Sequence, residues 1–320
     1  MIESEIPKAM DAPDDAALRD ALAQGDLVLG RMGPILGHLL ANQGQSLFSD
    51  EIIARIRGMG SHMARQMLLT QAAAIQGGDQ LEFADKHCEN LAGRLMECGP
   101  LMAHCHALAL EWQLAMGLDA SHAADPILPP LLQALVGSDD EVAAQSAMAA
   151  LTAQARFIEQ QRRMELPLAE LPGDLFHQAL LIWLNYAGEN VGEKAAEAEA
   201  TLRNSFDESA GRRGLLARLV TDMGNGAIAA LSISHAGAAV FLTTLALASN
   251  QDRDIAAIST NECQIARLAL TMRASGMSLK DVEEQFLTIH PELALPEGFS
   301  DLGVDQAVAL LANSGRVGGS

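Results

Sequence analysis

The chain carries a faint copy of itself. Residues 121–171 align without a gap on residues 234–284, an offset of 113. Ser121-His122-Ala123 falls on Ser234-His235-Ala236, and Asp139, Ala143, Ala144 and Ser146 fall on Asp252, Ala256, Ala257 and Ser259. Leu132, Ala153, Met164, Leu166 and Glu170 fall on Leu245, Ala266, Met277, Leu279 and Glu283. Both segments read as helix pairs. Such a unit cannot bury its apolar face alone and becomes stable by stacking on neighbours. The pattern predicts an all-α chain of stacked helix pairs, HEAT-like or an irregular helical array, in two related halves. No run shows the clean period-two alternation of a half-buried strand.

The apolar residues agree with helices. Hydrophobic residues make up 49% of the chain but aromatic ones only 3%. Ala, Leu and Met supply the rest, which favours close helix packing over strands. At 320 residues the chain is long enough to bury a substantial core.

Turn and cap spellings divide it. Residues 1–17 hold Pro7, Pro13 and an Asp cluster and read as a flexible acidic arm. An N-terminal helical region follows over 18–118, with breaks at Gly33-Pro34, at Gly77-Gly78-Asp79 and at Gly99-Pro100, where Pro100 suits the first turn of the next helix. The first repeat unit covers 119–187. In it Pro129-Pro130 opens a short helix and Ser138-Asp-Asp-Glu141 spells a capping box. A charged connecting helix is expected over 188–214, with Glu199 and Arg203 as an i,i+4 pair. The second unit covers 215–312 and reuses the signals at Ser259-Thr-Asn-Glu262 and Ser278-Leu-Lys-Asp281. A last helix is expected from about Val304 to Leu311, and 313–320 as a disordered tail.

The formal net charge is −20, from 41 acidic and 21 basic residues. Such a surface repels nucleic-acid phosphates and anionic lipid and attracts basic partners. The pairs Arg162-Arg163 and Arg212-Arg213 stand isolated, without interleaved aromatics, so no nucleic-acid partner is expected. From Met223 to Gln251 the chain has no charged residue, a length that would span a bilayer. His235, the hydroxyl residues, Gly226 and Gly237, and the lack of a basic flank point instead to two short buried helices broken near Ser234. No membrane span is expected. The four cysteines, Cys88, Cys98, Cys105 and Cys263, lack paired spacing and the N-terminus is acidic. Free thiols in a reducing cytoplasm fit that pattern.

Six residues that can ligate a soft metal crowd 87–106: His87, Cys88, Cys98, His104, Cys105 and His106. Zinc needs ligands that converge tetrahedrally. His104, Cys105 and His106 are consecutive on a helix and point about 100° apart, so they cannot all reach one ion without unwinding. The bland reading is two packed helices with buried thiols. A Cys105 nucleophile with a histidine base is the enzyme alternative, but it needs the base to come from another helix. Ser121-His122 and Ser234-His235 read as helix caps with adjoining histidines. No P-loop, dinucleotide fingerprint, HExxH or GxSxG is present, and no cofactor is expected.

The stretch AMAALTAQARFIEQQRRMELPLAELPGDLFHQAL, residues 147–180, resembles a bacterial all-helical family of unknown function with HEAT-like helix pairs. The likeness lies in the small-residue helix, its Arg162-Arg163 end, and Leu166-Pro167 before a new helix. It implies a scaffold or regulatory role. The expected function is therefore a non-enzymatic protein-binding module, with a partner of basic character and homo-oligomers compatible with the pattern. The candidate contact residues are Asp139, Asp140, Glu141, Asp281, Glu283 and Glu284, at matching or nearby helix starts in the two units. The alternatives are a metal- or thiol-dependent enzyme or sensor at 87–106, and a small-molecule sensor with a pocket between apolar helices.

Overall fold

The helix Gly99–His122 is apolar around most of its circumference. A helix of that kind must be enclosed on all sides, and thirteen of its residues are buried. The rest of the fold is arranged around it. The computed structural model describes residues 13–41, 50–75, 79–190, 192 and 194–314. In chain order the α-helices are α1 (Pro13–Ala41), α2 (Asp50–Ala74), α3 (Gln80–Met96), α4 (Gly99–His122), α5 (Pro130–Val136), α6 (Glu141–Arg162), α7 (Gly173–Asn190), α8 (Ala195–Ser205), α9 (Arg212–Asp222), α10 (Ile233–Ser249), α11 (Arg253–Ile258), α12 (Ile265–Ala274), α13 (Leu279–Ile289) and α14 (Val304–Asn313). Four short 3-10 turns punctuate them. Among the described residues there is no strand, and the chain is all-α.

α4 packs against α2, α10 and α11, and more lightly against α1, α3, α6 and α7. α10 is the second enclosed helix and meets α4, α5, α9, α11 and α12. Its sequence is the second part of the uncharged run, and the break falls close to the expected Ser234, but the first part is not the buried helix expected: of residues 224–231 only Ala230 and Leu231 are buried, and Ile228 is exposed. Residues 224–231 form a 3-10 helix, and α10 follows beyond Ser232 at a bend of 116°. Among the described residues no single helix is long and apolar enough to cross a membrane. Inside α10, Gly237 takes φ 71°, ψ 164°, and the ring of Pro129 packs against that kink.

Several helix starts match their sequence signals. Asp79 caps α3 through Leu81 and Glu82 N–H groups, Pro100 sits in the first turn of α4, and Ser278 caps α13. Others are displaced. At α6 the cap is Asp140, which accepts from Val142 and Ala143, while Ser138 only braces the Asp140 N–H. Ser259 does not open a helix: its hydroxyl donates to Ala256 O at the end of α11, and Asn261 restarts the chain by accepting from Cys263 N–H. Ser121 and Ser234 are not caps either. Ser121 lies in the last turn of α4 and donates to Gly117 O, and Ser234 lies one residue inside α10.

The remaining corrections are longer in range. α1 runs through Gly33-Pro34, and it begins at Pro13 inside the expected arm, of which residues 1–12 lie outside the described residues. The connecting helix expected over 188–214 is split. α8 buries Ala195 and Ala198 and packs against α2, and α9 begins at Arg212. Small side chains allow this close approach, so the segment is part of the body and not a solvated bridge. The two aligned segments also differ. Residues 141–162 form one helix, whereas the matching 254–275 are broken into α11, a 3-10 turn and α12. Two related halves are therefore not confirmed.

Candidate functional site

Two features stand out in the body: a buried cluster of charges and an open cleft beside it. The cluster begins with Glu111, the one charged residue of the stretch Leu108–Met116 of α4, 1% exposed. Such a charge cannot be left unpaired in the interior. Arg212, the first residue of α9, grips it with two bonds of 2.7 and 2.9 Å. Arg253, the first residue of α11, grips it from the other side at 2.9 and 2.8 Å. Both guanidiniums are locked in turn. Arg212 donates to Gln154 Oε1 at 3.0 Å and lies 3.6 Å over the Phe157 ring. Arg253 donates to Thr243 Oγ1 at 3.0 Å. Burial pushes the Glu111 carboxyl up, but the two guanidiniums outweigh it and hold it well below the usual carboxylate range.

A second ion pair adjoins the first. Asp254 accepts from Arg213 at 2.6 Å and faces His104 Nδ1 at 2.7 Å. Arg213, read in the sequence as part of an isolated basic pair, is a structural residue. Together the two pairs bind α4, α6, α9, α10 and α11 at one point. Among the described residues a void of about 10 Å³ touches Arg212 and Arg213, about the space of one water.

The six residues of 87–106 are not brought together. His87 Nδ1 meets Tyr186 Oη at 2.9 Å. Cys88 donates to Ser61 O, and Cys98 to Gln178 Oε1. His104 joins the Asp254 pair. Cys105 is fully enclosed, and burial, aided by Asp254, pushes its thiol up to about 12. That removes the thiolate a nucleophile needs. Among the described residues no group of three or more His, Cys, Asp or Glu is placed to hold a metal ion.

Burial alone lowers His106 to about 4, which sets an acid response. The unfolded chain takes up this proton near the ordinary value of 6.5, while the folded chain resists it until about 4. Between those values the unfolded state binds more protons, so stability falls as the pH drops. Urea titrations are expected to show a loss of about 2 kcal/mol from pH 7 to pH 5. His106→Gln should remove most of that slope, and an unchanged slope would refute the assignment.

The cleft has a volume of about 490 Å³. One wall is a single stripe of α4: Leu110, Gln113, Leu114, Gly117, Leu118, Ser121 and His122. These positions recur every three or four residues and so share one face of the helix. The opposite wall is the break between α11 and α12, residues 260–263, with the end of α13, residues 288–291. At this break Thr260 donates its hydroxyl to Ala257 O. A Cβ on Gly117 would meet nothing within 4 Å, so this glycine leaves part of the space free.

The polar groups of the cleft have defined states. Ser121 gives its proton to Gly117 O, so its oxygen accepts from His122 Nδ1 at 2.7 Å. The His122 side chain is exposed. His290 is 8% exposed. Burial lowers its ring, the Glu262 carboxylate and a bond to Thr260 backbone raise it, and burial wins. Cys263 and Glu262 are exposed at the rim.

The acidic candidates divide into two kinds. Asp140 is the α6 cap, and Asp281 accepts from Ser278 Oγ at 2.6 Å. Asp139, Glu141, Glu283 and Glu284 are exposed. Sequence reading missed Glu111, Arg212, Arg253 and the cleft. The lone charge in a mostly apolar stretch was the available signal for Glu111. Comparison with known proteins finds no matching family model, no matching curated protein and no matching solved structure, so the resemblance carried by residues 147–180 stays one of sequence pattern.

Proposed function

We propose that the chain is a non-enzymatic binding module whose ligand seat is the cleft between α4 and the 260–263 and 288–291 segments. The observation that supports this is the cleft itself. Its volume of about 490 Å³ falls within the roughly 300–1,000 Å³ of small-molecule sites. Its lining sets an apolar stripe (Leu110, Leu114, Leu118, Ile289) beside an equal share of polar side chains, Gln113, Ser121, Asn261, Glu262 and Thr288 among them, which suits a ligand with both apolar and polar parts. This is the small-molecule form of the binding role, and the charge cluster serves it as a rigid support for α4.

The test uses Gly117. A metabolite library screened by thermal shift should yield compounds that stabilise the protein, by about 2.7 kcal/mol at a hundredfold excess over Kd. Gly117→Phe fills the cleft and should abolish those shifts, while Gly117→Ala keeps them. Shifts that persist in Gly117→Phe would place the ligand elsewhere and overturn the reading.

A basic protein partner is the second reading, favoured by the exposure of Asp139, Glu141, Glu283 and Glu284. Reversing these four to Lys spares the Asp140 and Asp281 caps. The expected result is an unchanged melting temperature with loss of a salt-sensitive complex. A complex that survives the reversal would remove these residues from the interface.

A further inference from the structure

We infer that the cleft selects an organic cation, a protonated amine carried on a short apolar body; this rests on the cleft being a ligand seat. Glu262 stands at the rim, and none of the described lining residues is a lysine or arginine. Two helices end at the cleft. Ser121 and His122 lie in the last turn of α4, and Thr288 and Ile289 in the last turn of α13. The C-terminus of a helix carries a partial charge of about −0.5, concentrated in carbonyls left without intrahelical partners. The start of the 262–264 turn faces the same space, but its small positive end is offset by the carboxylate of Glu262 itself. His290, which could add positive charge, is held neutral by burial. The sum is a negative seat with acceptors and an apolar stripe, which matches an ammonium group and repels a carboxylate.

The probes are hexylammonium, hexanoate and hexanol, equal in chain length and different in charge, titrated by calorimetry at low salt into the full chain. Hexylammonium is expected to bind about tenfold more tightly than hexanoate, and Glu262→Gln to weaken the amine about fivefold while leaving hexanol unchanged. Gly117→Phe should abolish all three, and Gly117→Leu serves the same purpose if the larger ring prevents folding. Hexanoate binding as tightly as hexylammonium, with both lost in Gly117→Phe, would overturn the charge inference and leave the cleft reading standing. Binding that persists in the filled variants, or no binding of any probe at millimolar concentration, would overturn both.

Discussion

Glu111→Ala is expected to cost about 3–5 kcal/mol, the penalty of leaving buried charges without their partner. Two guanidiniums, Arg212 and Arg253, would remain inside with nothing opposite them. A domain of ordinary stability has only about 5–15 kcal/mol in hand, so urea titration should show a transition shifted far toward zero denaturant. Glu111→Gln keeps the shape and one acceptor oxygen but removes the charge, and should fall between the variant and the parent. Replacing all three residues with apolar ones of similar volume should recover much of the loss, because the desolvation cost disappears along with the attraction. A loss below about 1 kcal/mol for Glu111→Ala would show that the site relaxes or admits water. The acid response separates this cluster from His106. A carboxylate held far below its usual range keeps its contribution until the pH falls to its ordinary value of 4.5, and loses it progressively from there down to its folded value. The slope between pH 7 and pH 5 therefore belongs to the histidines that burial lowers, with His106 the main contributor and His290 and His87 adding in the same direction.

Gly237→Ala is the second large effect, expected at about 2–4 kcal/mol. At φ 71°, ψ 164° the backbone sits in a region that only glycine enters freely. A new Cβ would also lie 3.0 Å from Pro129 Cγ and 3.1 Å from its Cβ. Both strands of the cost act on one point, the seam between α5 and the enclosed α10. Gly117→Ala makes the contrast, since it faces open space within a regular helix and should stabilise by up to about 1 kcal/mol. Thermal or urea melts of the pair test this directly. Equal and small effects would mean that the α10 kink straightens at little cost.

The sequence announced helices because local rules suffice for them. The Pro100 start of α4, the Ser278 cap and the break in the uncharged run all depend on residues within a few positions. Caps failed where two candidates stood close together. Asp140 displaced Ser138, and Asn261 displaced Ser259, as equally good caps nearer the helix can. The internal echo misled because shared small residues serve both a continuous α6 and a broken α11–α12. For the charge cluster, Glu111 was visible as the lone charge in a mostly apolar stretch. Its partners lie 101 and 142 residues away, and nothing local marks them. The cleft has the same character. The α4 stripe can be read from spacing, but its opposite wall exists only once α11, α12 and α13 have packed.

The position of the Glu111 cluster bears on how the chain can be divided. Its carboxylate comes from the first 118 residues, one guanidinium from the segment after α8, and the other from beyond α10. A fragment that ends before α9 would hold the carboxylate with neither counterion, and a fragment that begins there would hold both arginines without the Glu111 carboxylate that both of them grip. Neither piece can bury its share of the charge alone. The chain should therefore unfold in a single transition, and autonomous subdomains cut anywhere between α4 and α11 should not accumulate as soluble folded species.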